Sequence, residues 1–303
     1  MTTKIASLPF THLLLAIVVT AVWGTNFVVI KSALTHLPPL LFAALRFTIA
    51  FFPAVFFLKR PKVPWPHLAA YGVLIGAGQF GLLYIAMQHS ISPGLASLVI
   101  QAQVFFTIGL SMWFTGERVR PFQWAALIIS ASGLSIIALH SGDSVTPLGL
   151  FLVLLSALSW AGGNIVAKAS GKMNMLAYVV WGSLFSFPPL FALSFIFEGW
   201  PAIYSALTQS DLSTWVAVAY QSVGNTLFGY ACWGWLLARH PAATITPAAL
   251  LVPIFGISAS ALILSEPLPA WKLIASALVM SGLALNIAWP RLRGALLKPI
   301  AQI

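Results

Sequence analysis

Long apolar runs separated by short polar breaks fill this sequence from residue 12 to residue 289. A helix that crosses a bilayer needs about 20 consecutive, mostly apolar residues. Ten runs meet that length: 12–32, 39–58, 67–88, 92–114, 121–139, 147–168, 174–197, 212–237, 242–264 and 270–289. Pro, Gly and charged residues mark the breaks, and the longest connection, 198–211, is too short for a soluble domain. The pattern therefore predicts an all-α membrane protein with ten transmembrane helices.

Two polar stripes interrupt the apolar pattern, one in the first predicted helix and one in the sixth. The first contains Trp23, Asn26 and Lys31, and the second contains Trp160, Asn164 and Lys168. Residues at these spacings share one face of an α-helix. Two polar faces in an otherwise apolar chain suggest that a polar molecule is handled between them.

The same two stripes indicate an internal repeat. A second echo relates Gly116-Glu117-Arg118, after helix 4, to Ser265-Glu266-Pro267, after helix 9. Each unit then has five helices, and because five is odd the second unit enters the membrane from the opposite side. The predicted fold is two inverted five-helix repeats, 12–139 and 147–289, followed by a cytoplasmic basic tail, 290–303. This architecture is typical of transporters, whose substrate site lies near the midplane between the halves.

Composition narrows the class of protein. The 303 residues are 60% hydrophobic and only 7% charged, whereas a soluble domain has about 25% charged residues. The net charge of +10 does not indicate nucleic-acid binding, because the basic residues lie at the ends of apolar runs. The single cysteine, Cys232, excludes a multi-cysteine metal site. No metal and no cofactor are expected, and the first run lacks the cleavage site of a signal peptide.

Lysine and arginine predict the orientation in the membrane. If the N-terminus lies inside, 12 of the 15 basic residues fall in cytoplasmic segments and only Lys31 and Lys272 fall outside. An excess of Lys and Arg in short cytoplasmic segments sets topology. Both termini are therefore expected in the cytoplasm.

Several motifs resemble a known family. They are Ala21–Lys31, Pro38-Pro39-Leu40 with Leu45-Arg46-Phe47, Pro93–Gln103, Phe105-Phe106-Thr107, Gly116-Glu117-Arg118 and Leu250-Leu251-Val252-Pro253. Together they resemble the EamA family of the drug/metabolite transporter superfamily over about residues 12–289, and within it the bacterial exporters of cysteine and O-acetylserine. The resemblance implies ten helices in two inverted repeats, a central cavity and export of small metabolites across the inner membrane. One departure is that Asn164 is shifted by one residue relative to Asn26.

Arg46 is the only basic residue well inside a predicted span, and no span contains an Asp or Glu to pair with it. An intramembrane Arg is costly unless it is paired or hydrated. One interpretation is that it holds the carboxylate of an amino-acid substrate, since a guanidinium binds carboxylate through two hydrogen bonds. The alternative is an Arg that bonds backbone carbonyls or extends outward to water.

Other polar residues inside the spans are candidate cavity residues, with helix–helix bonding as the alternative. They are Trp23, Asn26, Gln79, Gln101, Gln103, Trp160, Asn164 and Asn225. Gln101 and Gln103 point some 200° apart on a helix, so only one of them is expected to face the cavity. Pro253, in the middle of helix 9, is a candidate gating hinge. Lys31 and Lys168 are expected to anchor helix ends at the membrane surface.

These observations predict an exporter of a small amino-acid-like zwitterion that works by alternating access in the lipid bilayer. The spans lack carboxylates and the six His lie near span ends, which favours facilitated export over proton coupling through His89 or a Lys. Homoserine, aromatic amino acids and amphipathic drugs are alternative cargoes. An intramembrane enzyme would need a carboxylate pair, a His cluster or a nucleophile with its base, and a channel would need a ring of like groups. Neither pattern is visible.

Overall fold

The computed structural model describes residues 9–115, 120–140, 142, 144–240 and 242–296, and the elements named in that part of the chain are all helical. In chain order they are α1 (Phe10–Ala33), α2 (Pro39–Val55), α3 (Trp65–His89), α4 (Pro93–Phe114), α5 (Pro121–Leu139), α6 (Pro147–Ala169), α7 (Met175–Phe197), α8 (Gly199–Gln209), α9 (212–239), α10 (Thr246–Leu264) and α11 (Ala270–Leu296), with one further helical turn, Ala242–Ile245, just before α10. Most start at or just after a proline. Proline suits the first turn of a helix because the backbone N–H groups there have no partner within the helix, so the N–H that proline lacks is not missed.

Eight of these helices are long and apolar enough to cross a membrane: α1, α3, α4, α5, α6, α7, α10 and α11. Helix α2 is equally apolar but has 17 residues, and α9 is helical throughout 212–239. The prediction of an all-α, multi-pass membrane protein is thus confirmed. The total of ten spans and their inverted arrangement remain predictions.

Two of the described helices contain a π-helical segment in the middle. Leu74–Gly81 of α3 and Tyr220–Phe228 of α9 are π-helical. π-Helical segments are rare in proteins, and those that occur are frequently found at functional sites. Both carry glutamines, Gln79 in α3 and Gln221 in α9. The helices predicted at 67–88 and 212–237 are thus present, with π-helical winding over these residues.

The connection predicted at 198–211 contains a helix, α8. Its 11 residues begin with Gly199, whose φ of +78° favours glycine. Trp200 and Tyr204 are more than half exposed, and the Trp200 ring stacks on Phe195 with centroids 5.9 Å apart. Aromatic residues are enriched where a membrane meets water, so this helix suits the bilayer surface.

Helices α1 and α10 pack without a side chain between them at Gly24. A Cβ added there would lie 2.5 Å from Cβ of Phe255 and 2.6 Å from the carbonyl oxygen of Val252. Small residues let membrane helices approach closely enough for backbone contact. The crossing places α10, with Pro253 buried in it, directly against α1 at the residue after Trp23.

Candidate functional site

Arg46 lies at the centre of a buried polar network although it is only 1% exposed. Its Nη1 donates to the hydroxyl of Tyr84 (2.9 Å) and to Oε1 of Gln221 (3.1 Å). Its Nη2 donates to the hydroxyl of Thr226 (3.1 Å). All three acceptors are side chains. The alternative interpretation, in which Arg46 bonds backbone carbonyls or extends outward to water, is therefore wrong.

The aromatic ring of Phe80 covers the guanidinium of Arg46. The guanidinium carbon lies 3.6 Å from the ring centroid, a distance at which a cation is attracted to the ring face. The Nε of Arg46 is buried without a hydrogen-bond partner in the described structure. The guanidinium therefore has neutral partners on several sides and one donor still unused.

Gln221 connects this arginine to α1. Because a guanidinium can only donate, the amide oxygen of Gln221 faces Arg46, and its Nε2 points the other way and donates to Oδ1 of Asn26. The Tyr84 hydroxyl also donates to the Gln221 oxygen at 3.2 Å. We call Asn26, Arg46, Tyr84, Gln221 and Thr226 the arginine cluster. It joins α1, α2, α3 and α9.

An aromatic group lies beside the arginine cluster. The Trp23 indole donates to the backbone carbonyl of Asn225 (3.1 Å). Its ring centroid lies 5.8 Å from that of Tyr230 and 5.2 Å from that of Trp233. The Asn225 side chain is buried and its Nδ2 lies 3.5 Å from the Gln221 oxygen. Trp23, Asn26 and Asn225 thus meet where α1 contacts α9.

Gln79 is buried at the edge of this region. Its backbone carbonyl accepts a hydrogen bond from Ser156 of α6 (2.7 Å), while its side-chain Oε1 has no partner in the described structure. A buried polar atom without a partner costs about 1–3 kcal/mol. Gln79 therefore does not join the arginine cluster, but it presents an unused acceptor next to Phe80.

A second polar group joins α4 to α6. The Asn164 side-chain nitrogen donates to Oε1 of Gln103 (3.0 Å) and to the hydroxyl of Thr107 (3.3 Å). We call these three residues the Asn164 cluster. Gln101 lies on a short 3₁₀ turn of α4, is buried, and takes no part in it. Trp160 is packed against the apolar core instead.

The two clusters lie toward opposite ends of the bundle. Arg46 is seven residues after the start of α2, and Asn164 is five residues before the end of α6. The start of α6 lies with the end of α3, because the backbone N–H of Thr146 donates to the carbonyl of Ser90 at 2.8 Å. The end of α3 also meets Lys31, whose ammonium donates to the carbonyls of Met87 and Gln88 at 3.0 and 2.8 Å. Lys31 thus binds a helix end.

Two carboxylates bind helix starts at the end nearer the arginine cluster. Glu198 accepts hydrogen bonds from the backbone N–H groups of Leu40 and Leu41 at 2.6 and 3.0 Å. The first N–H groups of a helix lack partners within it, and a negative charge there is stabilising. Glu198 thereby joins the end of α7 to the start of α2.

Glu266 makes a similar connection between α10, α11 and the start of α4. It pairs with Lys272 at 2.9 Å and accepts from the backbone N–H of Gly94 at 3.1 Å and from the hydroxyls of Ser92 and Ser260. Burial would raise the pKa of this carboxyl, but the hydrogen bonds from Ser260, Ser92 and Lys272 outweigh it and the pKa is lowered. We call Glu198 and Glu266 the carboxylate caps.

A cleft of about 740 Å³ opens beside the Glu198 cap, between the α1–α2 connection, the end of α7 and α8. Its polar lining includes His36, Gln88 and Glu198. None of the residues predicted for the substrate site lines it, so the cleft and the arginine cluster are separate features of the described structure.

Comparison with known proteins shows which family this chain belongs to. The EamA-like transporter family matches residues 10–139 and, again, residues 147–288. The chain belongs to the EamA-like transporter family. The resemblance seen in the sequence motifs is thereby confirmed.

Several relatives of this EamA-like transporter come from bacteria. A protein named "Probable amino-acid metabolite efflux pump" from Salmonella typhimurium is 39% identical over 92% of this chain and 95% of its own length. The protein of the same name from Escherichia coli is 39% identical over 93% and 96%. An uncharacterized inner membrane transporter of E. coli, YedA, is 26% identical over 78% of this chain and 77% of its own.

A solved crystal structure shares the fold of this EamA-like transporter. It superimposes with a TM-score of 0.61 at 19% identity and covers 96% of this chain and 99% of its own. Agreement over nearly the full length of both chains shows that the helical arrangement is shared.

Sequence reasoning missed three members of the arginine cluster: Tyr84, Gln221 and Thr226. Gln221 stands in the densest polar run of the second half, Tyr220–Asn225, which was a usable signal. Tyr84 and Thr226 gave none, because a single hydroxyl in an apolar span usually bonds locally. In the described residues, no group of three His, Cys, Asp or Glu is arranged to hold a metal ion.

Proposed function

We propose that this EamA-like transporter exports small amino-acid metabolites of the cysteine and O-acetylserine kind across the bacterial inner membrane. The observation that carries the proposal is the state of Arg46. It is buried, its partners are neutral, and no carboxylate of the described residues lies within ion-pair distance of it. A buried charge without a counter-charge costs several kcal/mol. A substrate carboxylate supplies that counter-charge and accepts paired hydrogen bonds.

The topology we propose has ten spans, α1–α7 and α9–α11, with α8 at the outer surface. The two matched stretches, 10–139 and 147–288, support a division into two five-helix repeats. The distribution of Lys and Arg supports cytoplasmic termini. In this orientation the arginine cluster lies in the outer half of the membrane and the Asn164 cluster in the inner half.

Alternating access then requires two exchanges of contacts. A zwitterion that enters from the cytoplasm passes the Asn164 cluster and binds at Arg46, with Trp23, Asn26, Gln79 and Asn225 around it. For release outside, the carboxylate caps have to separate from the starts of α2 and α4. Pro253 of α10 is the proposed hinge. We propose that the substrate gradient drives the cycle, since the arginine cluster contains no carboxylate or imidazole to carry a proton.

Counterflow in proteoliposomes tests the function. Vesicles are preloaded with unlabelled O-acetylserine or cysteine, and uptake of the labelled solute is followed. We expect saturable exchange in the wild type, loss of exchange in Arg46→Ala, and partial recovery in Arg46→Lys, because an ammonium keeps the charge but cannot bind a carboxylate bidentately.

The matched control is Arg60→Ala. This arginine is exposed and stacks on Trp65 at 4.5 Å, so its loss removes the same charge outside the site. If the wild type, shown to be folded, exchanges neither solute, the amino-acid cargo is wrong. If Arg46→Ala exchanges as well as Arg60→Ala, the assignment of Arg46 to the substrate is wrong.

The aromatic group of Trp23, Tyr230 and Trp233 favours aromatic amino acids as a second class of cargo. The ring centroid of Trp23 lies within 6 Å of those of Tyr230 and Trp233. An aromatic amino acid would place its carboxylate on Arg46 and its ring among these three. Competition of unlabelled phenylalanine or tryptophan against labelled O-acetylserine separates the two classes. Competition stronger than that of unlabelled cysteine would favour the aromatic cargo.

A further inference from the structure

Gln221 occupies the arginine cluster in a way that matches the two ends of an amino acid. Its amide oxygen accepts from Arg46 at 3.1 Å and from Tyr84 at 3.2 Å, while its amide nitrogen donates to Oδ1 of Asn26. The amide of Gln221 thus presents an acceptor to the cation of Arg46 and a donor to the oxygen of Asn26. An α-amino acid presents the same pair of functions, a carboxylate and an ammonium, one bond further apart.

We propose that Gln221 is an internal ligand of the substrate site, whose amide stands where the carboxylate and amino group of the exported molecule bind. This inference rests on the proposed function and deepens it by naming the residue that the substrate displaces. It identifies the substrate class as α-amino acids with both groups free, since each group replaces one half of the amide.

The surroundings of Gln221 support displacement. The residue is 0% exposed, and its amide bonds both Arg46 and Asn26, so a solute that replaces both of these bonds has to displace the amide. It stands in the π-helical part of α9, where the hydrogen-bond geometry differs from that of an α-helix and changes of winding are local. Arg46 also retains a buried, unpartnered Nε, which gives the incoming carboxylate a donor that Gln221 does not use.

The inference predicts that Gln221→Ala lowers the apparent KM, whereas truncation of a binding residue usually raises it. A residue that binds substrate, or that holds the fold, raises the KM when it is truncated. An internal competitor lowers it, because the fraction of sites free to bind increases. If the amide occupies the site nine-tenths of the time, its removal lowers the apparent KM for O-acetylserine by about tenfold.

The isosteric variant Gln221→Glu tests the same idea in the opposite direction. Its carboxylate would face Arg46 permanently, as a fixed counter-ion, and we expect the apparent KM to rise more than about tenfold. Ser222→Ala is the matched control. Ser222 is the next residue of the π-helical segment, is equally buried, and bonds only the carbonyl of Val218 within α9 (2.8 Å).

Acetamide supplies a readout that a structural role would not move. It is a free copy of the missing amide and fits the space left in Gln221→Ala. We expect excess acetamide to raise the apparent KM of Gln221→Ala back toward the wild-type value and to leave the wild type and Ser222→Ala unchanged.

The experiment is proteoliposome counterflow of labelled O-acetylserine with the wild type and these three variants. A lower KM in Gln221→Ala, a higher one in Gln221→Glu and selective inhibition by acetamide support the internal ligand. A KM in Gln221→Ala equal to or above that of the wild type overturns it while leaving the transporter intact. If Gln221→Ala does not fold, wild-type kinetics in Gln221→Glu overturn it. No exchange by the wild type overturns the proposed function, and the internal ligand with it.

Discussion

The arginine cluster and the Asn164 cluster are both polar groups inside an apolar bundle, but they are built differently. The first contains a cation, is almost fully buried and joins four helices. The second contains only neutral groups, Gln103, Thr107 and Asn164, is half-buried and joins two helices. Both bring an asparagine of a Trp–Asn–Lys stripe to a glutamine of another helix.

This difference shows which cluster is costly to the fold. Three neutral, half-buried side chains lose little when they bond one another, and water or lipid headgroups can replace a lost partner. A buried guanidinium with neutral partners is much harder to accommodate. A sequence keeps such a group most readily where it performs a function, and a site of this kind trades stability for activity.

The largest expected effect is the loss of exchange when the charge of Arg46 is removed. It can be compared with the effect of the same change on stability. Arg46→Met keeps the volume of the side chain and removes its charge. We expect exchange of O-acetylserine to fall at least about 100-fold, because the charge-assisted bonds to the carboxylate are lost. We expect the midpoint of thermal unfolding to stay level or rise, since the buried charge is gone.

Thr107→Val is the counterpart in the Asn164 cluster. It also removes a polar group without changing volume, and we expect less than about a tenfold loss of exchange, since one neutral bond is worth about 1 kcal/mol. If Arg46→Met instead unfolds at a much lower temperature than Thr107→Val, Arg46 is primarily structural and the contrast between the clusters fails.

The next effect concerns the carboxylate caps, which lie only at the arginine end of the described structure. Glu266→Gln leaves Lys272, which is 0% exposed, without its counter-charge. We expect the free energy of unfolding to fall by about 3 kcal/mol near neutral pH. The control is Asp211→Asn, which changes an exposed carboxylate that caps the start of α9 and keeps a capping side chain.

Acid should remove the same stabilisation from the wild type. Because the pKa of Glu266 is lowered in the folded protein, its contribution is complete above the ordinary value of 4.5 and is lost as the pH falls through the folded value. Unfolding followed from pH 7 downward should therefore depend less on pH in Glu266→Gln than in the wild type. Equal dependence in the two proteins would show that this cap does not contribute.

The smallest effect compares the two asparagines directly. Asn26→Leu leaves the Gln221 nitrogen buried without an acceptor, and we expect a loss of about 1.5 kcal/mol in the free energy of unfolding. Asn164→Leu removes a half-buried donor, and we expect less than about 1 kcal/mol. Chemical unfolding in detergent measures both. Equal losses would mean that the two clusters contribute alike to the fold.

Much of the fold was predictable because hydropathy acts locally. The span predicted at 121–139 coincides with α5, and the others agree to within a few residues at most boundaries. Helix α8 was not separated as a helix because its 11 residues are too short and too polar for a spanning pattern. The π-helical segments were not predictable either, since they depend on which carbonyl each N–H selects after the helices have packed.

The candidate site was predictable only in part, for a related reason. Asn26 and Arg46 were found because amides and cations are rare inside spans. Their partner Gln221 lies 175 residues from Arg46 along the chain, and no spacing rule links residues so far apart. Within α9, Asn225 was named as a candidate from the sequence and Gln221 was not. In the structure, Gln221 and Thr226 of the π-helical segment both bond Arg46.

The glycine crossing of α1 and α10 has a mechanical consequence. At Gly24 the two backbones touch without an intervening side chain, so neither helix can slide or tilt there without taking the other along. Pro253 lies next to this contact on α10, and Asn26 lies two residues beyond it on α1. If α10 bends at Pro253, this contact would carry the movement to α1 close to Asn26, and the two helices would move as one unit.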